Sequence, residues 1–358
     1  MSRLIRAVID IQALRHNLNV IRARAGRAKV IAVVKANAYG HGLVGAALSL
    51  RGADAYAVAR LEEGLALRAA GLSKRIVLLE GVFTAAQLED AADERLDLVV
   101  HDACQIELLE RAGNADRFAL WLKLDTGMHR LGFAPREFAA ALARIRALSP
   151  APRELRLMTH LACANERNER ITGEQLLRFR DATRGLDYET SIANSAGVFG
   201  NFAPGCQWVR PGLALYGASP FEDVSAAQLG LKPVMTLTSS VIAVRRVPRG
   251  ECVGYGSDWT AARDSQVAIV AAGYGDGVHR SLGAGSPVLV NGQRAALAGR
   301  ISMDMLAVDV TGFTAVQVGS PAVLWGEGLP VEEVARRAGT IAYELLCSVS
   351  QRVPLEPR

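Results

Sequence analysis

Lys29-Val30-Ile31-Ala32-Val33-Val34-Lys35-Ala36-Asn37-Ala38-Tyr39-Gly40-His41-Gly42 is the stretch from which the rest of the chain can be read. Residues 30–34 form an unbroken apolar run. Such a run suits a parallel strand buried on both faces, although a turn of buried helix shares the pattern. Lys35 follows at once, and Asn37, Gly40 and Gly42 then break any regular element. A lysine at the carboxyl end of a buried strand lies where barrels and open α/β sheets place their chemistry. Desolvation there lowers an ammonium pKa, and a neutral amine can attack a carbonyl to form a Schiff base. The plainer alternative is a lysine that snorkels from the strand end into water.

Working outward, residues 4–9 read as a short strand and Asp10 as a helix cap. Ile11, Leu14, Leu18 and Ile21 then recur as one buried helical face. Strand-like runs return at a steady interval at 30–34, 55–58, 76–79, 96–100, 119–124, 155–159, 189–192 and 208–209, the last two weak by pattern alone. Amphipathic stretches rich in alanine and leucine, such as 62–70 and 85–92, lie between most of them. This alternation predicts an α/β fold, a (β/α)8 TIM-type barrel over residues 1–229. A doubly wound open sheet shares the alternation, but no Gly-x-Gly-x-x-Gly turn follows the first strand. After residue 229 valine, threonine and glycine rise and helical periodicity fades. Runs at 236–245, 266–272, 287–290, 293–298, 305–309 and 322–325 predict a C-terminal all-β domain over 230–358, with 331–338 its only helix.

The chain has 358 residues, half of them hydrophobic and 22% charged, enough to bury a large core without covalent staples. The net charge is +5, but the arginines are scattered among acids with no dense basic run. That favours affinity for small anions over nucleic acid. Cys104, Cys163, Cys206, Cys252 and Cys347 are odd in number and show no metal or redox spacing, so free thiols are expected and no metal. The opening residues carry charge and no apolar run, and no stretch is long and apolar enough for a membrane helix. A cytoplasmic protein with no membrane partner is expected.

The predicted strand ends carry Lys35, Lys123 with Asp125, His160, Asn194 with Ser195, and Arg210. Each has a plain reading alone: His160 a hydrogen-bonded core histidine, Lys123 and Asp125 an ion pair, 210–212 a turn. Together they describe a basic pocket with one nucleophilic lysine, suited to an anionic, carbonyl-bearing cofactor. Ser195 and the backbone N–H groups of Gly212 and Leu213 can cradle a phosphate, and Tyr39 can add a hydroxyl.

Residues 33–42 resemble the cofactor-lysine motif of the alanine racemases, which depend on pyridoxal 5′-phosphate. The resemblance continues through Glu251-Cys252-Val253-Gly254-Tyr255-Gly256, through 273–277 and 299–304, and to the end at 340–344 and 352–354. It implies a barrel followed by a β-domain, and a head-to-tail homodimer with shared sites. It further implies that Lys35 holds the cofactor and acts on one face of the substrate α-carbon, while Tyr255 from the second subunit acts on the other. By the same resemblance His160 and Arg210 orient Tyr255, and Arg210 faces the pyridine nitrogen. Tyr39, Ser195, Gly212, Leu213 and Tyr343 hold the phosphate, with Asn194 beside them. Arg130 and the Met303 backbone receive the substrate carboxylate, with Asp304 adjacent. Tyr274 and Tyr343 narrow the entrance, and Lys123 is a candidate for carbamylation to N6-carboxylysine. The implied activity is interconversion of L- and D-alanine, whether in D-alanine biosynthesis or breakdown. A racemase of broader range is the alternative. A decarboxylase of the same fold would want an acid, not Arg210, at the pyridine nitrogen. A cofactor carrier would not need Tyr255. Departures from the commonest family wording at Ala342 and 345–349 predict small changes around the entrance only.

Overall fold

The computed structural model describes residues 4–166, 170–202 and 204–358. Eight parallel strands close into a barrel: Lys29–Val33, Ala55–Val58, Arg75–Leu78, Asp97–Val100, Ala119–Lys123, Glu154–Met158, Thr190–Ser191 and Trp208–Val209. These are the eight runs expected from the sequence. Closure pairs Lys29 with Trp208 and Val30 with Val209. The strands are mostly apolar because helices cover their outer face and side chains fill the interior, with charged residues such as Arg75, Asp97 and Glu154 at their amino-terminal ends. Of the two weak runs, 189–192 shrinks to the two-residue strand Thr190–Ser191, and 208–209 stands as expected.

The second sheet runs in the order Ser265–Val270, Leu306–Asp309, Gln293–Leu297, Pro287–Val290, Pro321–Trp325, Met235–Val247, Arg6–Ile9, Leu355–Pro357. Met235–Val247 also pairs antiparallel with Ser265–Val270, which curls the first six strands into a ring. One amendment to the expected boundary follows. Arg6–Ile9 pairs antiparallel with Met235–Val247 and parallel with Leu355–Pro357, so the N-terminal strand belongs to the second sheet, not the barrel. Ala7 and Ile9 are buried while Arg6 faces out, the alternation of a half-buried strand. A second amendment is the helix Ala342–Ser348, which the sequence reading left out. At seven residues it is too short for its periodicity to stand out. The hairpin of Cys252–Val253 with Trp259–Thr260 was likewise not legible.

Asp10 caps the first helix, Ile11–Ala25, by accepting the Ala13 N–H at 2.8 Å. From that helix the fully buried Asn17 donates to the carbonyls of Leu215 (3.1 Å) and Lys232 (2.8 Å) and accepts the Lys232 N–H (2.8 Å). One amide thereby fixes the passage from barrel to second sheet. No helix among the described residues is long and apolar enough to cross a membrane, and all five cysteines are free.

The amino-terminal floor of the barrel is tied down by Arg68, in the last turn of helix Leu61–Ala69. Its guanidinium donates to the carbonyls of Glu94 (2.7 Å), Leu72 (2.7 Å), Lys74 (2.6 Å) and Arg95 (3.1 Å). This fan bridges two helix-to-strand loops, and no point donor can reproduce it. Arg68→Ala should lower unfolding free energy in urea by about 1–2 kcal/mol. Arg68→Lys should recover less than half of that. Full recovery by lysine would mean that the aliphatic stem, not the fork, does the work.

Candidate active site

Every strand-end residue singled out from the sequence lies on the carboxyl rim of the barrel. Lys123 ends its strand, Lys35 and His160 stand two residues past theirs, and Ser195 and Arg210 begin the segments after the last two strands. Their fields overlap. Burial pushes Lys123 down to about 8, and the charges of Arg210, Arg130 and Lys35 push the same way, with Asp125 opposing. Burial first, then Arg210, Lys123, Arg130 and Lys35, hold His160 well below its ordinary value. Four cations thus converge on a neutral imidazole with one carboxylate nearby. Such a cluster stays intact at neutral pH only if its repulsion is offset, and an anion is the direct way to offset it.

Arg210 is buried to 4% exposure and donates to two neutral oxygens, Ser191 Oγ at 2.6 Å and the Thr159 carbonyl at 2.5 Å. It also approaches His160 Nδ1 at 3.4 Å, which suits an unprotonated Nδ1. Burial lowers its pKa to about 10, so it stays a cation at physiological pH. Arg130 sits on a loop folded around Asp125, whose Oδ1 accepts the N–H groups of Gly127 (2.9 Å), Met128 (3.0 Å) and His129 (3.1 Å). Lys123 and Asp125 make no direct ion pair; Asp125 instead meets His129 at 3.3 Å.

After Lys35 the chain makes a left-handed turn: Ala36, Asn37, Ala38 and Tyr39 all have φ of 53–54°. The turn carries Tyr39 beneath Gly212. A Cβ on Gly212 would lie 2.2 Å from the Tyr39 hydroxyl oxygen, so only glycine fits. Ser195 Oγ accepts the N–H groups of Gly212 (3.0 Å) and Ala214 (3.3 Å), which brings the Ser195, Gly212–Leu213 and Tyr39 segments into one cradle. Tyr39 stacks on Tyr216 at 4.8 Å and leans toward Tyr343 at 6.0 Å. Helix Ala342–Ser348 delivers Tyr343. A Cβ on Gly40 would lie 2.1 Å from the Leu346 carbonyl oxygen, so that helix sits directly on the lysine turn. Asn194 is otherwise engaged. Its Oδ1 caps Ser195–Phe199 through the Gly197 N–H at 2.9 Å, which makes it a support for Ser195.

Tyr255, Tyr274, Met303 and Asp304 all lie in the second domain. Tyr255 is 69% exposed on a one-turn 3-10 helix, and makes no hydrogen bond to His160 or Arg210 among the described residues. Tyr274 and Met303 are also exposed, and their loops are knit together by Tyr274 N–H to Ser302 O (3.0 Å) and Gly275 N–H to Met303 O (2.8 Å). Asp304 accepts from Arg352 at 2.5 Å, and Arg352 also donates to buried Asp276 at 2.7 Å. Asp304 therefore shapes the Tyr274 loop, and its carboxylate is occupied by that arginine.

Several supporting residues were missed. Gln175 is fully buried: its oxygen accepts the Ala162 N–H (2.8 Å), and its nitrogen donates to Thr126 Oγ1 and the His160 carbonyl (both 3.1 Å). It couples the Arg130 loop to the His160 loop. A glutamine on the apolar face of helix Arg170–Ala182 was the available signal. Glu63 and His41, which grip the lysine turn, gave none that spacing could expose.

The profile of the alanine racemase N-terminal domain matches residues 9–220, and that of the C-terminal domain matches residues 234–356. The chain belongs to the alanine racemase family. It is 47% identical to the alanine racemase of Vibrio vulnificus (strain CMCP6) over 349 residues, 98% of each chain. It is 48% identical to that of Shewanella sp. (strain MR-7) over 350 residues, 97% of each. Among solved structures it matches the biosynthetic alanine racemase of Pseudomonas aeruginosa with a TM-score of 0.96 and 48% identity, covering all of both chains. The alanine racemase of Acinetobacter baumannii matches at 0.94 and 38%, again over both full lengths. The barrel with its appended β-domain is thus the family's architecture.

Proposed function

We infer that this protein interconverts L- and D-alanine, with pyridoxal 5′-phosphate held on Lys35 and with active sites shared across a head-to-tail homodimer. The observation that carries this is the cationic cluster of Lys35, Lys123, Arg130 and Arg210 beside the glycine-lined Ser195–Gly212–Tyr39 cradle. The donor set fits a phosphorylated aldehyde: an amine to attach it, backbone and hydroxyl groups to take the phosphate, and Arg210 to meet the ring nitrogen. Bound there, the coenzyme supplies the electron sink that acidifies the α-proton of an amino acid.

The chain's own residues supply the rest. The Lys35 amine removes or returns the α-proton on one face. Tyr255 of the partner subunit serves the opposite face, so a proton taken by one group and returned by the other inverts the centre. Arg210 stays cationic and is a poor proton donor, so a ring nitrogen held against it would stay unprotonated, which would favour quick return of the proton over side reactions. Arg130 and the Met303 backbone receive the substrate carboxylate, and Tyr343 and Tyr274 restrict the entrance to a small side chain.

Lys123 fits a carbamate. Its amine, with a pKa of about 8, can add to carbon dioxide with loss of a proton, and the product anion would face Arg130 in place of a repelling ammonium. Intact-mass measurement that shows carbon dioxide lost on acidification would bear this out.

Purified protein with added coenzyme should form D-alanine from L-alanine, with little turnover of serine, lysine or arginine. Comparable rates on the larger amino acids would favour the broader-range racemase. A colourless protein that takes up no pyridoxal phosphate would remove the reading altogether.

A further inference from the structure

The lysine turn is built against the preference of its residues. L-residues crowd their own carbonyls at positive φ, and runs of them are avoided. Yet Ala36, Asn37, Ala38 and Tyr39 adopt it consecutively, and only Asn37 is a residue that visits it readily. Such a segment persists where its surroundings over-determine it. Within the turn, Ala38 N–H reaches Val34 O at 2.8 Å, Asn37 Oδ1 accepts the Leu43 N–H at 2.8 Å, and His41 Nδ1 meets the Ala38 and Tyr39 carbonyls at 3.0 and 2.9 Å. Among the described residues, the side-chain hydrogen bond that reaches the turn from outside residues 35–43 is to its first amide: Ala36 N–H donates to Glu63 Oε1 at 2.7 Å. The other oxygen of Glu63 accepts the Ala59 N–H at 2.9 Å and the Arg60 N–H at 3.2 Å, at the end of the neighbouring barrel strand.

We propose that Glu63 is a positioning residue for Lys35: by bridging the ends of the first two barrel strands it locks the left-handed turn and so fixes the direction in which the lysine side chain leaves the backbone. The proposal rests on the reading of Lys35 as the coenzyme anchor. The Ala36 amide is joined directly to the Lys35 carbonyl carbon, so holding that N–H fixes the peptide plane on which Lys35 hangs. Glu63 is not a counter-ion for Lys35, since no ion pair joins them among the described residues. Nor is capping of its own helix a sufficient account. That duty uses one oxygen, while the second is aimed at a different strand.

Glu63→Gln tests this. An amide offers one accepting oxygen where the carboxylate offers two, and places an NH2 against one of the N–H donors. Glu63→Asp, which keeps the charge but is one methylene short, provides a second variant. Hydrogen exchange in the full-length protein should quicken about tenfold or more in peptides covering 35–43 in both variants, while peptides from 65–69 stay as in wild type. Retention of pyridoxal phosphate should weaken by about tenfold or more, as expected when an anchoring group is misaimed. Glu62→Gln, next door and exposed, should change neither. Unchanged exchange in 35–43, or quickened exchange with coenzyme affinity intact, would overturn the proposal. A wild type that takes up no coenzyme would instead strike at the Lys35 assignment, and the exchange data would still report whether Glu63 holds the turn.

Discussion

Lys35→Ala and Tyr255→Phe proteins, each inactive alone, are expected to regain about a quarter of wild-type racemase activity when the two chains are refolded as an equal mixture. On the proposed mechanism either change removes a group that carries a proton at the substrate, and each should cost about a thousandfold or more in kcat. The recovery follows from where the two residues stand. Lys35 lies on the barrel rim beside Arg210 and His160, while Tyr255 lies exposed on the second domain with its hydroxyl unengaged by either among the described residues. A phenol so exposed is of no use to its own barrel, but it can serve a second copy turned head to tail. Random pairing makes half the dimers mixed. In a mixed dimer one site carries both defects and the other neither, so half of one half, a quarter, of all sites are whole. Tyr255→Phe alone should also be asymmetric, losing proton removal from L-alanine before exchange at D-alanine. If the mixture stays as dead as its parents while still pairing, each site is built from one chain and the shared-site reading is wrong.

How much of this was visible in the residues depends on the range of the forces involved. The barrel strands were legible because burial on both faces writes an unbroken apolar run, as at residues 30–34 and 119–122. The rim residues were legible because a charged side chain directly after such a run is costly without a purpose, and Lys35, Lys123 and Arg210 all stand there. What stayed hidden depends on partners far away in the chain. Residues 6–9 look like any opening strand, and only the pairing with 235–247 and 355–357 assigns them to the second sheet. Helix Ala342–Ser348 packs on Gly40, a contact no local pattern announces. Asn194 is expected beside the phosphate because it precedes Ser195, and only the fold shows that its oxygen also caps the short helix that carries Ser195. Asp304 was similarly claimed by Arg352. Polar side chains at a site divide into those that face the ligand and those that hold the first group still. Residue type alone does not separate them.

Lowering the pH from 7 to 5 is expected to cost about 2 kcal/mol of stability through His41 alone, rising to about 3 kcal/mol once pH has fallen past 4. His41 is buried against Tyr216 at a ring separation of 4.6 Å. Its Nδ1 meets two carbonyls, so Nδ1 carries the proton, and its buried Nε2 has no partner among the described residues. Adding a second proton would place a charge where nothing accepts it, and burial accordingly pushes the pKa down to about 4. The unfolded chain, with its ordinary value of 6.5, then binds more protons than the folded chain throughout the interval between those two values. Stability is therefore full above pH 6.5 and is lost as pH falls toward 4. His160, also held well below its ordinary value, adds a loss in the same direction. Glu189, held at about 2 by the Trp208, Lys29 and Arg156 donors although burial opposes them, acts only at lower pH. Urea unfolding at pH 7, 6 and 5 should show the decline, and His41→Asn, which keeps a donor for the carbonyls but cannot titrate, should flatten it by the His41 share. A wild-type curve that is level from pH 7 to 5 would mean that the imidazole reaches water or an acceptor in the folded protein.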